Sequence, residues 1–286
     1  MKLLRILLIF AFAGVGCSNA PSEIAIVADE EPLRIGDKHD AANAATINGH
    51  VYWRGPILTV ATMQAIGPGA DGKWRSRQVN NPYAPIVNEK TKAVHGAVVF
   101  LESVVPQRSR PWDHAPVRLI GDDDSLMVEQ GEGGPCRVGF VRRGDEVEVM
   151  SRNDEFESIA ARGAAFFTLP FPRPGSPLRR CLNKPGIVEW SSGAGRFWLR
   201  ANLFVVEHPY YCRTDSEGRF ELPKVPPGDY RLVAWLPNPT VLSKDRDPNM
   251  GHVIRQHHAS PIERYQWIEV LPRQRHAVDL HIGPIE

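Results

Sequence analysis

The chain has 286 residues, 42% hydrophobic and 23% charged, which excludes global disorder and a polytopic membrane protein and leaves room for two ordinary domains. Lysine and arginine number 34 against 33 acidic residues, a formal charge of +1, so the broad basic surface that nucleic acid requires is missing. The 25 prolines and 24 glycines interrupt the chain too often for long helices and point to short strands joined by turns.

At the N-terminus, Lys2 and Arg5 precede the apolar run Ile6 to Val15, which reads as an export signal whose apolar part is too short to span a bilayer. Cys17, directly after Gly14-Val15-Gly16, resembles the lipobox of bacterial lipoproteins. That resemblance implies a signal peptide of residues 1–16 and a mature chain beginning at an acylated Cys17, anchored in a membrane of the cell envelope. Ser18-Asn19-Ala20 offers the alternative of ordinary cleavage and a soluble secreted product. Cleavage before Cys17 leaves 32 basic and 33 acidic residues. Residues 17–45, rich in Ala, Asp and Glu, read as a flexible tether.

Thr46 to Trp53 alternates apolar and polar residues as a half-buried strand does. Residues 62–92 read as a surface excursion, and Ala97 to Leu101 as a strand covered on both faces. Val117–Ile120, Ser125–Val128, Val138–Val141 and Glu146–Met150 follow at the rhythm of an antiparallel sandwich. Asp122-Asp123-Asp124 lacks the alternating ligands of a calcium loop and reads as a solvated turn. Ile187–Trp190 and Phe197–Val206 predict a hairpin that closes this domain. A second domain is expected from His208, with strands around Arg213–Leu222, Val225–Trp235, Trp267–Val270 and Ala277–Ile282, and an irregular loop over 237–261. The predicted class is therefore all-β, with a sandwich over 46–207 and a smaller one over 208–286. An exported compartment permits a disulfide, and Cys136 with Cys181 is the expected pair, leaving Cys212 buried or free. No zinc spacing occurs among the cysteines.

The run from Thr214 to Trp235, T-D-x-x-G-x-F-x-L-x-x-V-P-P-G-x-Y-x-L-x-x-W, resembles the carboxypeptidase regulatory-like domain, a transthyretin-like β-sandwich. The segments Cys136–Val138, Arg143–Val149, Asn153-Asp154, Pro185–Val188 and Leu203–Tyr210 resemble a cupredoxin-like antiparallel β-sandwich. In copper-binding relatives a His follows the Asn-x-Asp turn, and Cys, His and Met cluster after the Pro-Gly strand, because copper needs imidazole and soft sulfur in a fixed frame. Those positions fall here near Glu157, Gly193, Arg196 and Leu199, so the resemblance implies a scaffold without copper ligands. No metal and no other cofactor is expected.

Other chemistry is sparse. His252 with His257-His258 reads as surface imidazoles, and only a convergence of His50, His95 or His114 would supply a metal site. Glu155 and Glu157 read as a solvated strand edge. No nucleophile elbow, zinc-binding helix or phosphate loop occurs, so no catalytic residue is assigned and the chain is not read as an enzyme. Trp190, Phe197, Trp198, Phe204, Tyr210 and Tyr211 gather near the domain junction. Packing is their preferred role, and Trp198, Tyr210 and Tyr211 are the candidate contacts for a glycan or a cell-envelope protein. The functional expectation is an exported, membrane-anchored binding or structural lipoprotein with no catalytic centre, held to the membrane through Cys17 and binding no nucleic acid. The alternatives are a periplasmic copper-binding electron-transfer protein and a carbohydrate-binding accessory protein.

Overall fold

The computed structural model describes residues 38–68 and 73–284. The predicted signal peptide, the acylation site Cys17 and most of the tether lie outside the described residues. Among those described, the chain is almost entirely β, with a single 3-10 turn at Pro106–Arg108, as the proline and glycine content predicts.

Strand Ala45–Trp53 alternates buried and half-buried positions along its whole length, so one face carries the apolar set Ala45, Ile47, Val51 and Trp53 into a core. It pairs antiparallel with Arg219–Val225 and parallel with both Arg275–Ala277 and Leu280–Ile282. Gly49 on this strand is required by closeness, because a Cβ there would overlap the backbone carbonyl of Val278. A second sheet runs in the order Tyr211–Arg213, Val98–Glu102, Gly228–Leu236, Ile262–Val270. These two sheets enclose one core around Val99, Leu101, Phe220, Leu222, Leu232 and Ile268.

Another pair of sheets forms from the middle of the chain. One has the order Leu178–Cys181, Glu146–Ser151, Arg118–Gly121, Leu126–Glu129. Its partner has the order Phe167–Phe171, Glu157–Gly163, Gly186–Ser192, Arg200–Val206, Val138–Arg142. Between them lies a core centred on Trp190, Leu119, Leu126, Val149, Ile159 and Leu203.

The two sandwiches share a third apolar layer. Val98, Phe100, Val233 and Trp235, on the outer face of one sheet, pack against Val138, Phe140, Phe204 and Val206 on the outer face of the other. Both faces of the strands concerned are therefore covered, which explains why Arg200–Val206 is buried at every position and Val98 to Leu101 at four in succession. The rings of Phe204 and Trp235 meet edge to face at 5.1 Å, and Phe100 stacks on Tyr211 at 4.9 Å. Each large side chain buried there stabilises by roughly 1.5–3 kcal/mol.

Strand pairing crosses the boundary expected at 207/208. Ala45–Trp53 and Val98–Glu102 belong with the strands after His208, and the middle sandwich is an excursion between Val98–Glu102 and Tyr211–Arg213. No turn joins such distant partners, so neighbouring residues carry no sign of the pairing. The surface excursion over 62–92 contains a hairpin, Met63–Pro68 with Val79 and its strand, whose Met63, Ala65 and Val79 enter the middle sandwich's core. The irregular loop expected over 237–261 is likewise a hairpin, Val241–Arg246 with Val253–His258.

Cys136, Cys181 and Cys212 are free thiols, which corrects the expected pair. Cys181 lies on one outer strand of its four-stranded sheet, whereas Cys136 bridges Val128 beyond the opposite edge. Strands spaced about 4.8 Å apart separate the two by far more than the roughly 7 Å that a disulfide spans.

His208 sits at the shared layer, its ring against Tyr211 at 5.2 Å and its Nδ1 accepting the Tyr210 N–H at 3.4 Å. Burial pulls it down to about 4, slightly opposed by Glu207. The folded state holds this imidazole neutral while the unfolded chain protonates near 6.5, so stability is complete above about pH 7 and falls as pH drops toward 4. His258 moves the same way for the same first cause. Urea titrations from pH 7.5 to 4.5 are expected to show this decline, and His208→Gln to remove a share on the order of 3 kcal/mol; a pH slope unchanged in that variant would refute the assignment.

Candidate functional site

The cupredoxin-like resemblance puts copper ligands at one end of the five-stranded sheet. Glu157 is fully buried, which corrects its reading as a solvated edge: its strand is second in a five-stranded sheet and its carboxylate is held from several sides. Oε2 accepts from Arg196 Nη1 at 3.1 Å and from Asn153 Nδ2 at 3.3 Å, while Oε1 accepts from Ser192 Oγ at 2.7 Å and the Ser158 N–H at 2.9 Å. Arg196 also donates to Glu155 at 2.9 Å and lies 3.3 Å from Asp123. The Gly193 N–H donates to the Ser158 carbonyl, and Leu199 is buried in the core. A hydrogen-bonded ion pair fills this end of the sandwich.

The imidazoles are scattered. His50 Nδ1 lies 3.3 Å from Asp279, His114 Nε2 contacts the Pro209 carbonyl at 2.9 Å, and His95 is exposed on another strand. His257 contacts Asp245 at 2.9 Å, His258 Nδ1 the Asn238 carbonyl at 3.1 Å. Among the described residues no three His, Cys, Asp or Glu side chains are grouped so as to hold a metal ion.

Two of the three aromatic contact candidates are inside the protein. Trp198 is 3% exposed and donates its indole N–H to the Asp123 carbonyl at 2.9 Å. Tyr210 is buried and donates its hydroxyl to the Lys224 carbonyl at 2.9 Å. Tyr211 is half-buried against Phe100. Trp198 does border, with Phe197, a cleft of about 540 Å³ whose other walls include Lys244, Arg246, His252 and Gln256.

The solvent-facing aromatics are elsewhere. Strand Ile262–Val270 is the outer strand of its sheet, and it turns Ile262, Ile268 and Val270 into the core. The opposite face carries Glu263, Tyr265, Trp267 and Glu269, with Tyr265 57% and Trp267 62% exposed. Alternation on a strand puts the two rings on the same side about 6.7 Å apart. Arg231, cross-strand from Trp267, lays its guanidinium over the Tyr265 ring at 4.5 Å and pairs with Glu102 at 2.5 Å, which fixes that ring. Glu263 has its carboxyl raised above the usual range by partial burial and by Glu102, against the pull of Arg231. Glu102 and Glu263 also border a groove of about 460 Å³ that runs past Tyr211 and Ile187. The result is a two-ring apolar surface edged by carboxylates and a guanidinium.

One part of the chain is similar to a known family. A family model described as polysaccharide lyase family 4, domain II, matches residues 188–248. The matched stretch takes in strands of both sandwiches and holds the whole Thr214-to-Trp235 motif together with Arg231. No curated protein matches the chain. Among solved structures, a chain of a heme-copper terminal oxidase dimer seen by cryo-EM is similar at 13% identity, with 37% of this chain and 78% of that chain covered and a TM-score of 0.24.

Tyr265 and Trp267 sit outside the aromatic-rich junction to which the sequence points. A signal was present: in Glu263-Arg264-Tyr265-Gln266-Trp267-Ile268-Glu269 the rings share their phase with the two glutamates, not with Ile268. The Glu157–Arg196 pair has a direct test. Arg196→Met leaves a buried carboxylate without its cation and is expected to cost about 3–5 kcal/mol in urea denaturation. Adding Glu157→Gln is expected to restore more than half of that loss, and strictly additive losses would show that the two side chains are not coupled.

Proposed function

We propose that this chain is a non-catalytic carbohydrate-binding protein that holds a polysaccharide on Tyr265 and Trp267. The single observation carrying this reading is the exposed, in-phase pair of rings on an edge strand. Aromatic faces stack on the apolar faces of sugar rings, while the neighbouring Glu102, Arg231, Glu263 and Glu269 supply donors and acceptors for hydroxyl groups. The match to a domain of a polysaccharide lyase family supports the ligand class, since that segment contributes the strand paired beside the platform. A two-ring surface suits an extended chain better than a single sugar. Both finer fold resemblances, cupredoxin-like for the middle sandwich and carboxypeptidase regulatory-like for the Thr214 motif, fit a binding scaffold of this kind.

Affinity electrophoresis against a panel of neutral and acidic polysaccharides tests the reading. At least one polysaccharide is expected to retard the protein, with Trp267→Ala and Tyr265→Ala each weakening binding tenfold or more, equivalent to about 1.4 kcal/mol. Because both side chains are exposed, their removal is expected to change stability by less than about 0.5 kcal/mol. Retardation that survives in both variants, or none by any polysaccharide, would remove the platform from consideration.

We further propose export and attachment to a cell-envelope membrane through an acylated Cys17, which would place the platform on the surface of that membrane. Expression in a bacterial host with labelled palmitate is expected to label the protein and to leave Cys17→Ser unlabelled. Equal labelling of both would reject the anchor.

A further inference from the structure

Arginines in this protein are generally neutralised where they are buried. Arg110 pairs with Asp113, Arg196 with Glu157, and Arg200 with Glu189. Arg137 and Arg213, like the half-buried Arg108, Arg162, Arg255 and Arg264, have no such partner among the described residues. Arg137 and Arg213 are both half-buried, and among the described residues neither has a carboxylate within ion-pair distance. Arg213 donates Nη1 to the Val138 carbonyl at 2.9 Å and touches the Cys136 thiol, whereas Arg137 reaches only the Arg200 carbonyl at 3.5 Å. A guanidinium has five N–H donors, so most of these two groups' capacity is unused by the protein. Asp122 influences Arg137 only from beyond ion-pair distance. Burial pulls both arginines below their ordinary range, as it must when a cation loses water without gaining a countercharge.

Arg137 and Arg213 line one cleft. Arg213 ends the strand Tyr211–Arg213 and Arg137 immediately precedes Val138–Arg142, so the cleft opens at the end of the layer shared by the sandwiches. Its volume is about 440 Å³, within the usual range for a small-molecule site, and Pro82, Ile86, Leu236 and Pro237 give it apolar walls. Two uncompensated cations beside apolar surface are costly when empty of an anion and complementary to one that brings a hydrocarbon body.

We propose that this cleft binds a small organic carboxylate, its carboxylate drawn in by the charges of Arg137 and Arg213 and its apolar body laid against the proline and leucine walls. The planar fork of each guanidinium matches a carboxylate in a bidentate or shared geometry. A bare inorganic anion would satisfy the charge but leave the walls uncovered. The site is separate from the Tyr265–Trp267 platform and does not depend on it.

The test is an NMR titration of the full chain with benzoate, with benzamide as the uncharged analogue of the same shape and inorganic phosphate as the anion without an apolar body. Benzoate is expected to bind at least tenfold more tightly than either, and to shift resonances of residues lining the cleft. Arg137→Gln and Arg213→Gln are each expected to weaken benzoate tenfold or more, while Trp267→Ala leaves it unchanged. A second readout needs no variant: benzoate is expected to slow alkylation of Cys136, which lines the cleft, without slowing that of the exposed Cys181. Equal binding of benzoate and benzamide, phosphate binding as tightly as benzoate, or alkylation rates that fall together at both cysteines would overturn the proposal.

Discussion

The apolar layer between the two sandwiches is the constraint on which the rest of the molecule depends. Val98, Phe100, Val233 and Trp235 meet Val138, Phe140, Phe204 and Val206, and water is thereby removed from the outer faces of two sheets whose inner faces are already buried. A strand covered on both sides cannot alternate apolar and polar residues, and Arg200–Val206 accordingly does not. Its two polar members are accommodated individually. Arg200 pairs with Glu189 and donates to the Gln256 carbonyl, and the Asn202 side chain hydrogen-bonds Tyr83. Three stacked cores replace the two independent ones that a pair of linked domains would have, and the described residues fall in one compact unit.

This layer also decides where function can reside. Aromatic residues concentrated near the junction are absorbed by packing, as Tyr210 and Trp198 are. The sheet that runs Tyr211–Arg213, Val98–Glu102, Gly228–Leu236, Ile262–Val270 is wider than the surface it meets, and its outer strand overhangs. Tyr265 and Trp267 lie on that overhang, in the same row as residues that are buried two strands away. The cross-strand row Phe100, Val233, Tyr265 passes from core to solvent within three strands. An exposed ring on a pleated edge is therefore the continuation of an interior face beyond its cover.

How much of this was readable in the residues depends on the range of the interaction responsible. The all-β class, the doubly covered run Ala97 to Leu101 and the Gly186–Ser192 hairpin with Arg200–Val206 rest on local patterning, and the structure has them. The pairing of Ala45–Trp53 with Arg219–Val225 joins residues about 170 positions apart without a turn between them, so no local pattern announces it. Glu157 looked like surface because a carboxylate normally is; only the arrival of Arg196 from a distant loop makes its burial tolerable. Cys136 and Cys181 looked like partners for lack of a sheet order that would have put them on opposite edges.

The strand Ala45–Trp53 is hydrogen-bonded on both flanks, and its neighbours on one side, Arg275–Ala277 and Leu280–Ile282, run parallel to it. Tension arriving from the N-terminal side would pull this strand lengthwise, loading its ladders in shear so that many bonds share the force instead of parting one after another. The sandwich from Arg118 to Val206 lies off that line, held by the shared apolar layer. Force transmitted along the chain's first strand would reach the closing segments at Arg275–Ile282 while bypassing the middle of the molecule.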